Sequence, residues 1–201
     1  MKAVINEMPQ HWLSERANAD AAQWDEMWEG VLHMPPMPNT MHQDFEGALA
    51  SYLRYNWARP NRNRVFQQIN LAPVDEPDWT KNYRVPDILL LTPDLMTIDR
   101  GSHFAGAPLV VVEIRSRDDE TYEKLDFYAQ LGVPEVWVID RDTKAVELRT
   151  LVGSGYSLLQ MDMGGWVRSP ATRVEFRPGG VGKVWVRVNG NDATTEELPE
   201  D

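Results

Sequence analysis

Two carboxylates in the middle of the chain adjoin apolar segments of the kind that form buried strands. Asp87 lies within YRVPDILLL, residues 83–91, and Glu113 follows the apolar run that begins at Leu109. A lone charge is costly to bury, so each carboxylate must be solvated, paired or bound to a metal. Neighbouring strands lie about 4.8 Å apart, so two such carboxylates can share one cation. A hard cation such as Mg²⁺ takes oxygen ligands, and the backbone carbonyl of Ile114 and water would complete its shell.

The chemistry expected at such a site is hydrolysis of a phosphodiester. A water activated by the cation is a nucleophile, and a nearby lysine would position it and stabilise the developing negative charge. Lys124 is the candidate, because the helix predicted from about Glu120 to Leu131 places it on the mostly apolar side that should face the sheet. A surface pair between Glu120 and Lys124 is the competing interpretation, and their spacing alone does not choose between the two.

The elements that would position these groups follow from the pattern between residues 40 and 140. A strand, a helix, a Gly-Val-Pro break and a second apolar run over residues 136–139 indicate a βαβ unit with parallel strands. Upstream, the spacing predicts a helix over residues 40–55, capped by Asn39 or Thr40, and strands over residues 65–71 and 83–91. The predicted order is therefore helix, strand, strand, strand, helix, strand.

The outer parts of the chain are predicted to be additions to one domain of residues 27–188. Residues 1–26 form an N-terminal extension with a short helix around Asn18 to Trp24, and residues 27–34 form a hairpin around Gly30. Apolar segments after residue 144 predict a C-terminal β-meander. The segment 189–201 is acidic and nearly free of apolar residues, so it is predicted to be a disordered tail.

The composition argues against several classes of site and of protein. The 201 residues include no cysteine, which excludes disulfides, thiolate metal sites and a cysteine nucleophile. The net charge of −11 argues against a protein that coats nucleic acid, but not against an enzyme whose carboxylates are offset by divalent cations. No apolar stretch approaches the roughly 20 residues that span a bilayer, and the N-terminus lacks the apolar core of a signal peptide. We therefore expect a cytoplasmic protein without a membrane partner.

Three segments together resemble the Uma-type restriction endonuclease family, of the PD-(D/E)XK nuclease-like superfamily. They are VPDILLL, PLVVVEIRS and ETYEKLDFYAQLGVPEVWVID, and the likeness covers roughly residues 28–151. The resemblance implies an α/β fold with a mixed sheet and a restriction-endonuclease-like αβββαβ core. It also implies that Asp87 and Glu113 ligate Mg²⁺, with Mn²⁺ as a substitute. The implied function is a Mg²⁺-dependent DNA endonuclease that uses a metal-activated water, and a homodimer would suit cleavage of both strands.

One position departs from the superfamily pattern. The usual Glu-X-Lys is Glu113-Ile114-Arg115 here, so arginine stands where lysine is expected. In the Uma-type branch the lysine is displaced to the following helix, which matches Lys124, with Glu120 where an aspartate is common. Arginine stays protonated and clamps phosphate, but it is a poor partner for proton transfer. We therefore assign Lys124 to the water and Arg115 to substrate binding or structure.

Several other residues have two interpretations each. Glu46 is either a second metal ligand or a solvated helix residue, and His42 is either a phosphate or metal contact or an exposed residue at the start of the helix. Arg59, Arg62 and Arg64 either approach a phosphate backbone or form a solvated basic loop. The function has an alternative as well, because the missing lysine at position 115 and the acidic charge also suit a catalytically inactive nuclease-like binding or assembly module.

Overall fold

The structure gives the bounds of fifteen short strands and three α-helices. This structure is a computed structural model, and it describes residues 3–5, 11, 15, 23–117 and 119–200. The helices are α1 (Thr40–Leu53), α2 (Arg59–Asn61) and α3 (Leu125–Leu131). The strands are β1 (Ala3–Ile5), β2 (Glu26–Trp28), β3 (Val31–Met34), β4 (Arg64–Gln67), β5 (Leu71–Ala72), β6 (Ile88–Leu91), β7 (Phe104–Ala105), β8 (Val110–Arg115), β9 (Glu135–Asp140), β10 (Val146–Val152), β11 (Gly155–Leu158), β12 (Val167–Arg168), β13 (Val174–Pro178), β14 (Val184–Val188) and β15 (Glu196–Leu198).

A six-stranded mixed sheet forms the centre of the molecule. Its spatial order is β11-β10-β9-β8-β6-β4. The pair β8 and β9 is parallel, as expected for two strands joined by a crossover, and the other neighbouring pairs are antiparallel. The chain order from α1 to β9 confirms the predicted αβββαβ core and its α/β fold class.

The central strand β8 is covered on both faces, which is why its apolar run is continuous. Val110, Val112 and Ile114 face a core that includes the buried side of α1, whereas Val111 faces a second core that includes Phe127 and Tyr128. Strand alternation therefore points Glu113 towards the side on which α3 lies.

Helix α1 begins where the sequence predicts. Asn39 is its N-cap, and the side chain of Asn39 accepts a hydrogen bond from the backbone N–H of His42. Phe45 and Leu49 are fully buried on the inner face. The helix continues directly into a π-helical segment, Arg54–Ala58, and then into α2, so it extends beyond its predicted end.

Three predicted elements are shorter in the structure. The strand predicted over residues 65–71 ends at Gln67, because Gln68 adopts a positive φ of 53°. The strand predicted over residues 83–91 begins only at Ile88, after Pro86, which has no N–H to donate to a ladder. The helix predicted from Glu120 begins at Leu125, after a turn over residues 121–124.

The C-terminal residues correct another expectation. Strands β12, β13, β14 and β15 form a separate four-stranded antiparallel sheet. The prediction of a disordered tail over residues 189–201 is wrong for its described part. Glu196–Leu198 pairs with β14, and Leu198 is only 2% exposed. One buried leucine and a ladder of backbone hydrogen bonds are enough to hold an otherwise polar strand in place.

The N-terminal hairpin is present as predicted. Strands β2 and β3 are antiparallel, and Gly30 adopts a φ of 87° in their turn. Strand β1 adds a third strand next to β3. The short helix predicted around Asn18 to Trp24 falls almost entirely outside the described residues. No helix in the described part of the chain has the length and apolar character that crossing a membrane requires.

Candidate active site

Asp87 and Glu113 lie next to each other at the ends of adjoining strands. Ile88 is paired with Val112 in the register of β6 and β8, so the preceding residue Asp87 lies beside Glu113. The backbone N–H of Ile114 donates to Asp87 Oδ2 at 2.6 Å. This bond fixes the orientation of the Asp87 carboxyl group at the edge of a pocket rather than within the core.

Lys124 links the turn before α3 to the sheet. Its Nζ lies 3.2 Å from Glu113 Oε1 and 2.8 Å from Glu26 Oε1. The side chain of Lys124 is 13% exposed, and those of Glu113 and Glu26 are 4% and 3% exposed. Glu120 instead contacts His33 at 3.0 Å. The surface pair between Glu120 and Lys124 is therefore not formed, and the ammonium group faces two buried carboxylates.

These buried charges shift one another's pKa values. Burial, opposed by the Lys124 ammonium, raises the pKa of Glu113 to about 8. Burial also disfavours the charged form of Lys124, but the carboxylates of Glu113 and Glu26 outweigh it and raise the pKa of Lys124. One cation cannot neutralise two buried carboxylates, so a proton shared with Glu113 relieves the excess negative charge. Tyr128 adds to this group by donating its hydroxyl hydrogen to Glu113.

A second group of ligand-type side chains lies beside Asp87. His42, Glu46 and Asp87 each offer one atom that could bind a metal, and these three atoms lie within 4.8 Å of one another. His42 Nε2 is 2.9 Å from Asp87 Oδ1 and 3.8 Å from Glu46 Oε2. His42 is 7% exposed and Glu46 is 2% exposed. The interpretations of His42 as an exposed residue and of Glu46 as a solvated residue are therefore wrong.

The strand next to α1 holds Glu46 in place. Gln67 and Gln68 each donate a side-chain N–H to one carboxylate oxygen of Glu46, both at 3.0 Å. Burial and the neighbouring charge of Asp87 raise the pKa of Glu46. Burial lowers the pKa of His42, but its hydrogen bond to Asp87 reverses the shift and raises it. Both shifts follow from negative charge crowded into a small volume.

The donor set fits a divalent cation. Ligand atoms around one cation, each about 2.1 Å from it, are separated by roughly 3 to 4 Å, close to the spacing of this group. An imidazole nitrogen suits transition metals, whereas Mg²⁺ prefers oxygen ligands. Glu113 does not belong to this group, so the tightest cluster in the described residues differs from the predicted pair Asp87 and Glu113.

A cavity of about 280 Å³ connects the two groups. Its walls include His42, Asp87, Glu113 and Lys124, and the proline-rich segment 35–38 forms an apolar side. Arg117 and Arg141 also line it. A cavity lined by both acidic side chains and arginines offers a place for a phosphate beside a cation.

Arg115 lies outside this arrangement. It does not line the cavity, and its guanidinium group forms an ion pair with Asp140 at 3.2 Å. Strand alternation puts Arg115 on the same side of β8 as Glu113, but the ion pair directs its side chain to the end of the neighbouring strand β9. Glu120 does line the cavity.

Sequence reasoning missed Glu26, Tyr128 and Gln67. Glu26 was assigned to the N-terminal extension, yet its carboxylate also accepts hydrogen bonds from the Val85 backbone N–H and from Trp28 Nε1, at 2.9 and 2.8 Å. No motif marks Glu26, and only its position two residues before Trp28 on a hairpin strand could have suggested a shared face. Tyr128 lies on the mostly apolar side of the predicted helix, and this position does not reveal that its hydroxyl reaches Glu113.

Comparisons with known proteins bear on the family and the fold of this chain. Residues 16–177 match the family model Uma2, described as "Putative restriction endonuclease". The match covers most of the chain, so the chain belongs to the Uma2 family, as the resemblance in its sequence indicated. This family description supports nuclease activity in general.

A solved structure shares the fold. It is the crystal structure of a "putative nuclease belonging to DUF820" from Anabaena variabilis ATCC 29413, and its TM-score with this chain is 0.58. The two are 18% identical, and the match covers 74% of this chain and 83% of the other. At that identity the likeness concerns the fold alone. No curated protein matches the chain.

Proposed function

We propose that the chain is a divalent-metal-dependent endonuclease that hydrolyses phosphodiester bonds in DNA, with Asp87, Glu113 and Lys124 as its catalytic residues. The observation that carries this proposal is the Lys124 ammonium, held between two buried carboxylates beside Asp87 and the cavity. Membership of the Uma2 family supports the reaction class.

His42, Glu46 and Asp87 would hold the cation, with Glu113 and the Ile114 carbonyl as further ligands. The imidazole in this set favours a transition-metal ion over Mg²⁺, while Mg²⁺ remains the cofactor that the family resemblance implies. A bound cation supplies positive charge that withdraws electrons from the phosphate and lowers the pKa of a water. Gln67, Gln68 and the Ile114 N–H orient the carboxylates before any ligand binds.

Lys124 has an electrostatic role. The carboxylates of Glu113 and Glu26 keep its ammonium protonated, because they raise its pKa. It therefore donates hydrogen bonds to the attacking water or to a phosphate oxygen, and it stabilises charge that develops there. Tyr128 and Glu26 fix its position by holding the carboxylate of Glu113 and the ammonium group itself.

The test is DNA cleavage by the purified chain in Mn²⁺, in Mg²⁺ and in EDTA, with plasmid and linear duplex as substrates. We expect metal-dependent cleavage, and we expect Asp87→Asn, Glu113→Gln and Lys124→Met each to lower the rate at least about a hundredfold. Asp126→Asn, Glu123→Gln and Lys81→Met make the same chemical changes at exposed positions outside the cavity and should leave the rate unchanged.

Absence of cleavage by a folded wild-type protein in both metals would contradict the proposal. The alternative, a nuclease-like binding or assembly module, would then account for the fold and the family.

A further inference from the structure

One segment of this acidic chain contains no carboxylate. Between Glu46 and Asp75 the sequence has neither aspartate nor glutamate, and its charged residues are Arg54, Arg59, Arg62 and Arg64. The chain as a whole has 31 acidic and 20 basic residues. The segment therefore has a local charge opposite in sign to that of the molecule.

The fold gathers these four arginines around one groove. The π-helical segment carries Arg54, α2 carries Arg59 and is followed by its C-cap Arg62, and β4 begins at Arg64. All four side chains are exposed, and together with Ala58, Asn63 and Val65 they line a groove of about 470 Å³. The reversal of the chain at Arg62, where φ is 59°, brings Arg64 back beside the end of α2.

None of the four guanidinium groups is paired with a carboxylate of the described residues. Four arginines elsewhere in the described residues differ in this respect. Arg115, Arg141, Arg149 and Arg187 each lie within 3.2 Å of an aspartate or glutamate oxygen. Like charges gathered without counter-ions repel one another, so the groove has unused capacity for an anionic ligand.

The side-chain amide of Gln67 connects the groove to the candidate active site. Arg54 Nη2 donates to Gln67 Oε1 at 2.6 Å, and the same amide donates to Glu46 at 3.0 Å. Eight residues of helix separate Glu46 from Arg54, which is a rise of about 12 Å. At about 3.4 Å per nucleotide of one strand, that distance corresponds to three or four nucleotides.

We infer that this groove binds the phosphodiester backbone of the nucleic acid substrate and leads it past Glu46 into the cavity that His42 and Asp87 line. The inference rests on the proposed function for the identity of the substrate. Elsewhere, the chain's excess of carboxylates repels a polyanion, so the groove sets the orientation in which DNA can approach. Phosphate contacts of this kind position a duplex without reading its sequence.

The test measures binding of a fluorescently labelled 20-base-pair duplex in EDTA between 50 and 200 mM NaCl. Arg54 is left intact, because it contacts Gln67. The triple variant Arg59→Gln, Arg62→Gln and Arg64→Gln should weaken binding about tenfold to a hundredfold, and it should reduce the slope of log K against log salt by about 2 to 3. The KM for cleavage of the same duplex should rise by a similar factor.

A matched control changes net charge by the same amount at other exposed positions. Arg100→Gln, Arg168→Gln and Arg173→Gln together should alter the slope much less. The inference is overturned if both triple variants lose affinity equally, if the groove variant binds like the wild type, or if the wild type does not bind the duplex at 50 mM salt.

The result also separates this inference from the proposed function. If the wild type binds DNA through the groove but does not cleave it in either metal, the proposed endonuclease activity fails and the groove assignment stands. If the wild type cleaves DNA and the groove variant keeps its KM and its salt slope, the endonuclease stands and the groove assignment fails.

Discussion

At the scale of single residues, the central feature is an imbalance of buried charge. Lys124 contacts Glu113 and Glu26, so one positive group faces two carboxylates that are each less than 5% exposed. A buried charge that loses its partner strongly destabilises the folded protein. The effect of changing any one of these three residues therefore depends on the other two. The imbalance also gives the site a pH dependence that can be measured without any metal.

Stability in EDTA should fall as pH rises, because of Glu113. Burial raises the pKa of Glu113 from an ordinary value of 4.5 to about 8, so folding favours its protonated form. Its contribution to the free energy of unfolding is complete below pH 4.5 and is lost as pH rises through about 8. Glu113→Gln removes this titration, so between pH 5 and pH 8 the wild type should lose up to about 1.4 kcal/mol per pH unit relative to the variant.

Urea denaturation of both proteins at several pH values measures this difference. Parallel stability curves for the wild type and for Glu113→Gln would show that Glu113 does not titrate in this range.

At the scale of elements, the site depends on four segments that meet at one end of the central sheet. The turn before β6 supplies Asp87, the end of β8 supplies Glu113, and the head of α1 supplies His42 and Glu46. Lys124 lies in the turn before α3. The crossover therefore places the Lys124 side chain at the site even though it is not helical along its whole predicted length. The C-terminal sheet contributes to this framework through the core that it shares with α1.

Leu198 tests whether the C-terminal strand belongs to that core. The side chain is 2% exposed and packs in the same cluster as Phe45 of α1. Leu198→Ala should therefore lower the free energy of unfolding by about 2 to 5 kcal/mol. Leu158→Ala makes the same change at a strand position that is 46% exposed and should cost less than about 1 kcal/mol. Equal costs for the two variants in urea denaturation would contradict this packing.

At the scale of the whole molecule, the formal charge of −11 makes a bound cation favourable and an approaching polyanion unfavourable. The attraction of a cation and the repulsion of a polyanion are both strongest at the candidate site, where carboxylates surround His42. The arginines of the groove lie to one side of it. A bound divalent cation would therefore have two effects. It would relieve the repulsion between the carboxylates, and it would reduce their repulsion of a phosphate group.

Binding of Mn²⁺ should raise the melting temperature of the folded chain. At a hundredfold excess over Kd, a ligand of the folded state adds about 2.7 kcal/mol, which is about 5 to 10 °C for a chain of this size. The double variant His42→Ala and Glu46→Ala should lose this increase. His103→Ala with Asp94→Ala, a matched pair outside the cluster, should keep it. We expect a smaller increase with Mg²⁺ because one ligand is a nitrogen.

Differential scanning calorimetry in EDTA and in each metal gives the comparison. An equal increase in both double variants would show that the cation binds elsewhere on the acidic surface.

The sequence by itself determined the order of the core elements and the neighbourhood of its acids. The apolar runs placed Asp87 and Glu113 on neighbouring strands, and apolar spacing placed Lys124 on the side of the crossover that faces the sheet, because both inferences use only local periodicity and the connection rules of the chain. These predictions did not depend on knowing which distant segments meet.

Only the tertiary structure decided which side chains share the site. Glu26 reaches Lys124 across 98 positions of sequence, and Gln67 reaches Glu46 from the edge strand; no local pattern encodes either contact. Packing likewise ordered the polar tail through Leu198 and turned Arg115 towards Asp140. Local periodicity specifies a residue's face, whereas its partner depends on how those faces are brought together when the whole chain folds.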